Sequence, residues 1–219
     1  ILGTGWIADQ FAQGLAQLSE AELVAVGSRT PELAQRFGAQ HDVPHRHGSY
    51  RALAEDAGVD VIYVATPNPW HREHTLLCLD SGKPVLCEKP FALNADQAAE
   101  MIRAAREKEL FLMEAMWTRF FPLMGKVRAL VSEGAIGEVQ MLVADLCIQF
   151  DFDPSDRRYA LELGGGALLD LGVYPLSFAS MIMGSPSKIE ALAHVGETGV
   201  DEQAGIVLGY DRGRVSTLY

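Results

Sequence analysis

The amino-acid sequence predicts an α/β protein with two parts: a doubly wound parallel α/β domain, then an α+β domain built on an open, mainly antiparallel sheet. Through residue 114, short apolar runs alternate with helical patterns, which is typical of a parallel sheet covered by helices. Beyond residue 114, a long apolar helical pattern precedes strand patterns that turn at Asp211-Arg212-Gly213, as in a sheet backed by a helix. We therefore expect domains over 1–114 and 115–219.

The elements of the first domain follow from apolar spacing and from helix-starting residues. Ile1-Leu2 ends a strand, and residues 6–18 carry apolar side chains at helical spacing. The run 59–65 is almost continuously apolar, as expected for a strand covered on both faces. Further strands are predicted over 22–27, 84–87 and 110–114, and further helices over 31–37, 49–55, 71–80 and 94–108, where Pro31, Ser49 and Asn94 mark helix starts.

The second domain is predicted to hold fewer and longer elements. Its helices are expected over 122–133 and 165–183, the latter opened by the glycines 164–166, which would allow close backbone approach. Its strands are expected over 137–147, 187–195, 203–210 and 214–219. Because strand patterns are cut at both ends of the sequence, we expect a fragment of a longer polypeptide.

Charge and cysteine content exclude several classes of protein. The 219 residues carry a formal net charge of −11, which disfavours nucleic acid and anionic membranes as partners. From the sequence, we expect no apolar stretch of the roughly 20 residues that span a bilayer. Cys78, Cys87 and Cys147 form no CxxC pair and are interpreted as reduced, buried thiols, so a cytoplasmic location is expected.

A glycine-rich turn at the start of the chain predicts a nucleotide site. Gly3-Thr4-Gly5-Trp6-Ile7-Ala8 has the pattern G-x-G-x-x-A between a strand and a helix. Gly3 allows the tight turn, Gly5 lets the backbone approach a pyrophosphate, and Ala8 permits close helix–strand packing. The first domain is therefore interpreted as a Rossmann dinucleotide-binding domain, although glycine turns also occur in other α/β folds.

The end of the next strand indicates which dinucleotide binds. NAD sites usually place an acid there to bind the ribose 2′-hydroxyl, but this strand ends in Ser28-Arg29-Thr30. Ser28 and Thr30 can donate hydrogen bonds to a phosphate, and Arg29 can pair with it. NADP is therefore favoured over NAD, with a solvated Arg29 as the alternative.

Lys89 is the first candidate for chemistry. Cys87-Glu88-Lys89-Pro90 follows a strand, which places Lys89 at the carboxyl edge of the sheet, where ligands bind in open α/β folds. An ammonium there can hold a substrate hydroxyl and favour the ionised form of a neighbouring acid or base. The alternative is a structural pair between Lys89 and Glu88.

Five motifs in order resemble the glucose–fructose oxidoreductase/inositol dehydrogenase (Gfo/Idh/MocA) family. They are the glycine turn 3–8, Ala65-Thr66-Pro67-Asn68 with His71, Glu88-Lys89-Pro90, and the stretches 113–122 and 164–175. The last two resemble the branch that contains dimeric dihydrodiol dehydrogenase and NADP-dependent D-xylose dehydrogenase. The resemblance covers essentially the whole chain.

The resemblance implies a role for each motif. Lys89 would orient the substrate and assist proton transfer, and Tyr174 would be the general acid/base, where much of the family has His. Asp170, one helical turn before Tyr174, would contact a substrate hydroxyl or position Lys89, and Trp117 and Arg119 would face the substrate. The residues implied to line the dinucleotide are Gly3, Thr4, Gly5, Trp6, Ile7, Ser28, Arg29, Thr30, Thr66, Pro67, Asn68, His71, Glu88 and Lys89.

The expected function is hydride transfer between NADP and a hydroxyl-bearing carbon of a sugar, polyol or trans-dihydrodiol. Free tyrosine has a pKa of about 10, so an adjacent ammonium such as Lys89 would make Tyr174 a better base. The alternatives are a non-catalytic dinucleotide-binding sensor and a lyase with tightly bound NAD. A homodimer formed through the second domain's sheet is expected, and no metal site is assigned: His71 and His74 lack further ligands, and His41, His45 and His47 are interpreted as solvated loop residues.

Overall fold

The computed structural model describes residues 1–219 and divides the chain into two compact units, Ile1–Ala115 and Met116–Tyr219. The boundary expected from the sequence lies one residue earlier.

The first unit contains a parallel sheet whose centre is the start of the chain. Leu2 bridges Gly27 on one side and Val64 on the other, both in parallel. The sheet therefore runs β2, β1, Leu2, β3, β4 and β5, with every pair parallel. Its strands are β1 (Ala25–Gly27), β2 (His45–His47), β3 (Ile62–Val64), β4 (Val85–Cys87) and β5 (Leu112–Glu114).

Strand lengths and one strand in this sheet differ from the sequence expectation. Val59 donates its N–H to the Asp56 carbonyl in a turn, so β3 begins only at Ile62 rather than at residue 59. Strand β2 was expected to be a polar loop, because its residues are not apolar. It forms because β1 supplies its hydrogen bonds, and as an edge strand that pairs with β1 alone it does not need an apolar pattern.

Helices cover both faces of this sheet. They are α1 (Trp6–Leu15), α2 (Pro31–Gln40), α3 (Tyr50–Ala54), α4 (His71–Asp80) and α5 (Ala95–Glu107). The side chains of Thr30, Ser49 and Asn94 accept the N-cap hydrogen bonds of α2, α3 and α5. Successive residues of β3 alternate between two core clusters, Ile62 and Val64 in one and Tyr63 in the other, as a strand buried on both faces requires.

The second unit is an α+β domain on a four-stranded sheet. Its elements are α6 (Pro122–Ser132), β6 (Met141–Ala144), α7 (Val173–Met183), β7 (Lys188–Val195), β8 (Asp201–Gly209) and β9 (Val215–Leu218). The strand order is β6-β9-β8-β7, antiparallel except for the parallel pair β6–β9. Ala179 and Met183 of α7 pack on Ile206 and Leu218, so one face of the sheet is covered by the helix.

Two expectations for the second unit are wrong in detail. The strand expected over 137–147 is confined to β6, because Gly137 closes a turn with positive φ and the paired strand β9 offers only four residues. The helix expected over 165–183 is a π-helical segment, Leu168–Gly172, that continues into α7. Gly166 precedes it with a φ of +115°.

The stretch Leu161–Met183 also corrects the expectation about membrane-length segments. It is 23 residues long with a mean hydropathy of 1.4, which is long and apolar enough to cross a membrane by length and composition. Its regular part from Leu168 to Met183 would span about 24 Å at 1.5 Å per residue, against about 30 Å of hydrocarbon. The core helix of a folded domain meets the same criterion, so the stretch is weak support for a membrane span.

The cysteines differ from expectation at one position. Cys78 and Cys87 are buried and Cys147 is exposed, and none forms a disulfide. Burial raises the pKa of both the Cys78 and the Cys87 thiol to about 12, so these two side chains are inert.

Candidate functional site

The glycine turn has the geometry that a phosphate-binding loop requires. Gly3 has a φ of +110°, and a Cβ placed there would lie 2.7 Å from the Ala65 carbonyl oxygen. Gly5 is the N-cap residue of α1, no side chain caps this helix end, and a Cβ on Gly5 would meet nothing within 4 Å. Ala8 is completely buried. The turn is therefore tight at Gly3 and open at Gly5, beside an uncapped helix N-terminus that favours an anion.

The loop after β1 supports only part of the predicted 2′-phosphate site. Ser28 is buried, donates its N–H to the His47 carbonyl at 3.0 Å, and has its hydroxyl 3.2 Å from that of Thr4. Arg29 is exposed. Thr30 accepts the N–H of Leu33 at 3.4 Å as the N-cap of α2.

Thr30 and Glu32 contact each other at the start of α2. The Glu32 carboxyl accepts hydrogen bonds from its own backbone N–H and from the Thr30 side chain, and these two bonds hold its pKa below the usual value. The Thr30 hydroxyl is thus engaged at the start of α2, so it has a structural role there, and its phosphate contact stays a prediction. Residues 28–30 at the end of β1 contain no acid, but Glu32 follows two residues after Thr30, in the first turn of α2.

A cavity of about 320 Å³ adjoins the glycine turn. Residues 4–6 form one wall and α2 forms the other. Leu33, Arg36, Phe37 and Gln40 are the lining residues of α2, and Asp9 of α1 completes the set. Sequence reasoning missed Arg36, because only the placement of α2 beside the glycine turn brings it to this cavity. The open turn and the Arg36 cation fit a phosphorylated dinucleotide.

The loop after β3 is held by a buried histidine. His71 is 1% exposed, and its two ring nitrogens lie 2.7 Å from the Thr66 carbonyl and 2.7 Å from the Pro90 carbonyl. Burial lowers the pKa of His71, and the two carbonyls oppose that shift. Both ring nitrogens lie beside backbone carbonyls, and the neutral ring donates its one N–H to one of them, so His71 braces the loop. Its contact with a dinucleotide stays a prediction. Pro67 and Asn68 follow at the start of a 3₁₀ turn.

The Glu88-Lys89-Pro90 segment leaves the carboxyl end of β4, as expected. The Glu88 carboxylate is buried and accepts hydrogen bonds from the Tyr63 hydroxyl and, at 3.0 Å, from the Lys89 N–H. Burial raises the pKa of Glu88. The Lys89–Pro90 peptide is cis. Glu88 thus points into the protein and fixes the main chain of Lys89.

In the second unit, two predicted substrate residues contact each other. Tyr174 is the second residue of α7, and Trp117 begins the 3₁₀ turn Trp117–Phe120. The indole Nε1–H of Trp117 donates to the Tyr174 hydroxyl oxygen at 3.0 Å, with the rings edge to face at 5.9 Å. Such a donor stabilises negative charge that develops on the oxygen when the hydroxyl gives up its proton.

Arg119 also lies against α7. Its guanidinium donates to the Ser177 hydroxyl at 2.7 Å and to the Ser177 carbonyl at 2.8 Å. A cavity of about 270 Å³ lies beside these residues and is lined in part by Arg119, Tyr174 and Ser177. Arg119 is therefore anchored to the helix that carries Tyr174.

Asp170 lies in the π-helical segment before Tyr174. It is buried, and its carboxylate pairs with Arg157 at 3.0 Å. The close approach expected of the preceding glycines is present, because a Cβ on Gly165 would lie 2.6 Å from the Arg158 carbonyl oxygen. Arg157 was missed by sequence reasoning, since nothing in its spacing indicated this pair.

Two family descriptions together match almost the whole chain. Residues 1–116 match "Oxidoreductase family, NAD-binding Rossmann fold", and residues 124–219 match the Gfo/Idh/MocA C-terminal domain. The chain belongs to the Gfo/Idh/MocA oxidoreductase family. The family and the Rossmann fold predicted from the sequence are therefore confirmed.

Relatives within the Gfo/Idh/MocA family include named enzymes. A trans-1,2-dihydrobenzene-1,2-diol dehydrogenase of Xenopus laevis is 43% identical over 222 residues, covering 100% of this chain and 67% of the relative. The structure of KijD10, a 3-ketoreductase from Actinomadura kijaniata in complex with NADP and TDP-benzene, is 32% identical, with a TM-score of 0.87 over 99% of this chain and 67% of that one. The aldose–aldose oxidoreductase of Caulobacter crescentus is 30% identical, with a TM-score of 0.91 over 99% and 68%. The chain spans about two thirds of the length of these relatives.

Proposed function

We propose that this protein is an NADP-linked oxidoreductase that transfers a hydride between the cofactor and a hydroxyl-bearing carbon of a sugar, polyol or trans-dihydrodiol. The observation that carries the proposal is the Tyr174 hydroxyl, held by the Trp117 indole N–H at 3.0 Å. Proton transfer to or from a substrate oxygen needs a fixed hydroxyl of this kind. The named activities of the family relatives support the same reaction type.

Four side chains of this protein take part in the proposed reaction. When bound, NADP supplies the hydride chemistry. Tyr174 accepts the proton of the substrate hydroxyl during oxidation and returns it to the carbonyl oxygen during reduction. Trp117 stabilises the Tyr174 phenolate, which accepts the proton in oxidation and is left after the proton is donated in reduction. Lys89 orients the substrate hydroxyl and Asp170 contacts a neighbouring one, two roles that rest on the family resemblance.

Cofactor choice is the second element of the proposal. Arg29 and Arg36 supply positive charge near the glycine turn, and an arginine fork suits a phosphate group. Glu32 opposes this charge, because its carboxylate stands in the first turn of α2. Asp9 in the cavity lining opposes it as well, so the preference for NADP rests on the end of β1, where residues 28–30 include Arg29 and no acid.

The cofactor assignment can be tested by titrating the protein with NADPH and NADH while following nicotinamide fluorescence. Arg29→Gln should weaken NADPH binding by about tenfold to a hundredfold, the loss of one charged hydrogen bond, and leave NADH binding unchanged. Arg51→Gln is the matched control, because Arg51 is exposed on α3 and pairs with Glu55. Equal loss of both cofactors in Arg29→Gln would contradict 2′-phosphate recognition.

Turnover distinguishes the enzyme from its alternatives. Aldoses and cyclic trans-diols are screened for NADP reduction with the wild type, Tyr174→Phe and Lys89→Met. We expect both variants to bind NADPH normally and to lose turnover. Binding without turnover on any of these substrates would favour a dinucleotide sensor. A nicotinamide cofactor that survives purification and is reduced and reoxidised within one cycle would favour a lyase.

We also propose a homodimer that uses the exposed face of the second unit's sheet. The strand register places Met141, Val143, Leu192 and Val207 on the face opposite α7, and all four are exposed, Leu192 by 83%. An apolar patch of this kind is characteristic of an interface. Val143→Glu should shift the mass measured by light scattering toward the monomer, whereas Leu123→Glu on exposed α6 should not. A monomeric wild type would refute this proposal.

A further inference from the structure

Two histidines and one aspartate meet at the edge of the first unit's sheet. His45 and His47 are alternate residues of edge strand β2 and therefore point to the same side. Asp56 lies in the turn after α3. Its Oδ2 atom is 2.7 Å from Nδ1 of His45 and 2.8 Å from Nε2 of His47. The three possible ligand atoms all lie within 4.8 Å of one another.

The carboxylate in this cluster is held in one orientation by a backbone hydrogen bond. Its other oxygen, Oδ1, accepts the N–H of Gly58 at 2.8 Å, which leaves Oδ2 directed at the two imidazoles. The Gly58 N–H, followed by the two histidines, holds the pKa of Asp56 well below its usual range. Backbone bonds of this type orient the ligands of known metal sites. The cluster is also accessible, because the side chains of His45 and His47 are 50% and 24% exposed.

We propose that His45, His47 and Asp56 form a binding site for a divalent transition-metal cation of the Zn²⁺ type. Two imidazoles and one carboxylate suit Zn²⁺ and its neighbours, whereas Mg²⁺ and Ca²⁺ prefer oxygen ligands alone. Three protein ligands leave the fourth tetrahedral position to water. The site is independent of the proposed hydride transfer.

The present distances are those of hydrogen bonds, so metal binding requires a small adjustment. With bonds of about 2.0–2.2 Å, tetrahedral ligand atoms lie about 3.3 Å apart, roughly half an ångström more than the His–Asp distances here. The half-exposed His45 ring can make this movement by a change of side-chain torsion. The cation binds the unprotonated nitrogen of a neutral imidazole, so a ring that donates to Asp56 gives up that proton and carries its single N–H on the other ring nitrogen.

A bound cation would connect strand β2 to the turn after α3. The main chain of His47 also accepts the N–H of Ser28 at 3.0 Å, so the site abuts the loop that follows β1. A metal that binds the folded chain and not the unfolded one raises the melting temperature. This rise does not depend on enzymatic activity.

The test is calorimetric titration of the chelator-treated protein with Zn²⁺, together with Co²⁺ absorption spectra. We expect one saturable site per chain, visible Co²⁺ bands typical of four-coordination, and a higher melting temperature with Zn²⁺. His45→Asn and His47→Gln should each weaken Zn²⁺ binding at least tenfold and remove the thermal shift. His41→Gln is the matched control, since His41 is a loop histidine paired with Asp9 alone.

Variants at the histidines keep the test interpretable, because Asp56 also supports its own turn through Gly58. His45 is half exposed, so His45→Asn should fold normally, which circular dichroism verifies. The proposal is overturned if the wild type shows no saturable Zn²⁺ binding. It is equally overturned if folded His45→Asn and His47→Gln bind Zn²⁺ as tightly as His41→Gln does.

Discussion

Separate replacement of the two glycines of the nucleotide turn should have different effects: one variant should lose stability, and the other should lose NADPH affinity. In Gly3→Ala, the new Cβ would stand 2.7 Å from the Ala65 carbonyl oxygen, at a φ of +110°. The unfavourable φ costs about 1–2 kcal/mol. Displacing backbone in a packed core adds about 1–3 kcal/mol. We therefore expect Gly3→Ala to lower the free energy of unfolding by about 2–5 kcal/mol.

Gly5→Ala should behave in the opposite way. Gly5 has a φ of −81°, which alanine adopts readily, and its added Cβ would meet nothing within 4 Å. Its stability should therefore stay within about 1 kcal/mol of the wild type. The added methyl group occupies the space through which a pyrophosphate approaches the α1 N-terminus, so NADPH affinity should fall at least tenfold.

The assay combines urea unfolding with NADPH fluorescence titration on the same three proteins. The midpoint should fall for Gly3→Ala alone, with an unchanged denaturant slope. Wild-type stability in Gly3→Ala would refute the close approach of Gly3 to Ala65. Wild-type NADPH affinity in folded Gly5→Ala would refute the location of the phosphates at this turn.

Three further substitutions test the buried and aromatic contacts of the site. Trp117→Phe should lower kcat by about a hundredfold with NADPH binding retained, because it removes the donor to Tyr174; an unchanged kcat would contradict the role of that hydrogen bond. Tyr63→Phe should lower the free energy of unfolding by about 1–3 kcal/mol in chemical denaturation, since it leaves buried Glu88 without one donor. Burial lowers the pKa of His74 to about 4, against about 6.5 unfolded, so its contribution is full above pH 6.5 and is lost as the pH falls toward 4. Between pH 6.5 and pH 4, the free energy of unfolding should therefore fall by up to about 3 kcal/mol less in His74→Gln than in the wild type. A pH profile of His74→Gln that is parallel to the wild type would contradict the lowered pKa.

Features that depend on local chemistry could be predicted from the sequence. The strand, the turn at Gly3 and the helix beginning at Trp6 are adjacent in the chain, and each needs only its own backbone conformation. The cap Ser49 was likewise predicted, because a cap bonds to a residue three positions away, whereas Thr30, which caps α2 in the same way, was predicted only as a phosphate contact.

Features that depend on distant partners could not be predicted in the same way. Strand β2 carries no apolar pattern and exists because β1 supplies its hydrogen bonds. Arg36 became a site candidate only when α2 was placed beside the glycine turn. The pairing of His45 and His47 with Asp56 requires both the register of β2 and the turn after α3. None of these distances is encoded by spacing along the chain.

The residues around Lys89 show how a candidate catalytic side chain is supported by residues that never meet the substrate. The Lys89 N–H is bonded to buried Glu88, and the carbonyl of the next residue, Pro90, is bonded to buried His71. Buried polar groups are costly unless they are hydrogen-bonded, and here Glu88 and His71 each find a partner in the main chain, one on either side of Lys89. The Nε2 atom of His71 lies 2.7 Å from the Thr66 carbonyl oxygen, so one imidazole ring contacts both the loop after β3 and the loop after β4. The family resemblance implies that His71 and Glu88 line the cofactor, which stays a prediction, and the structure shows that both also brace the main chain around Lys89.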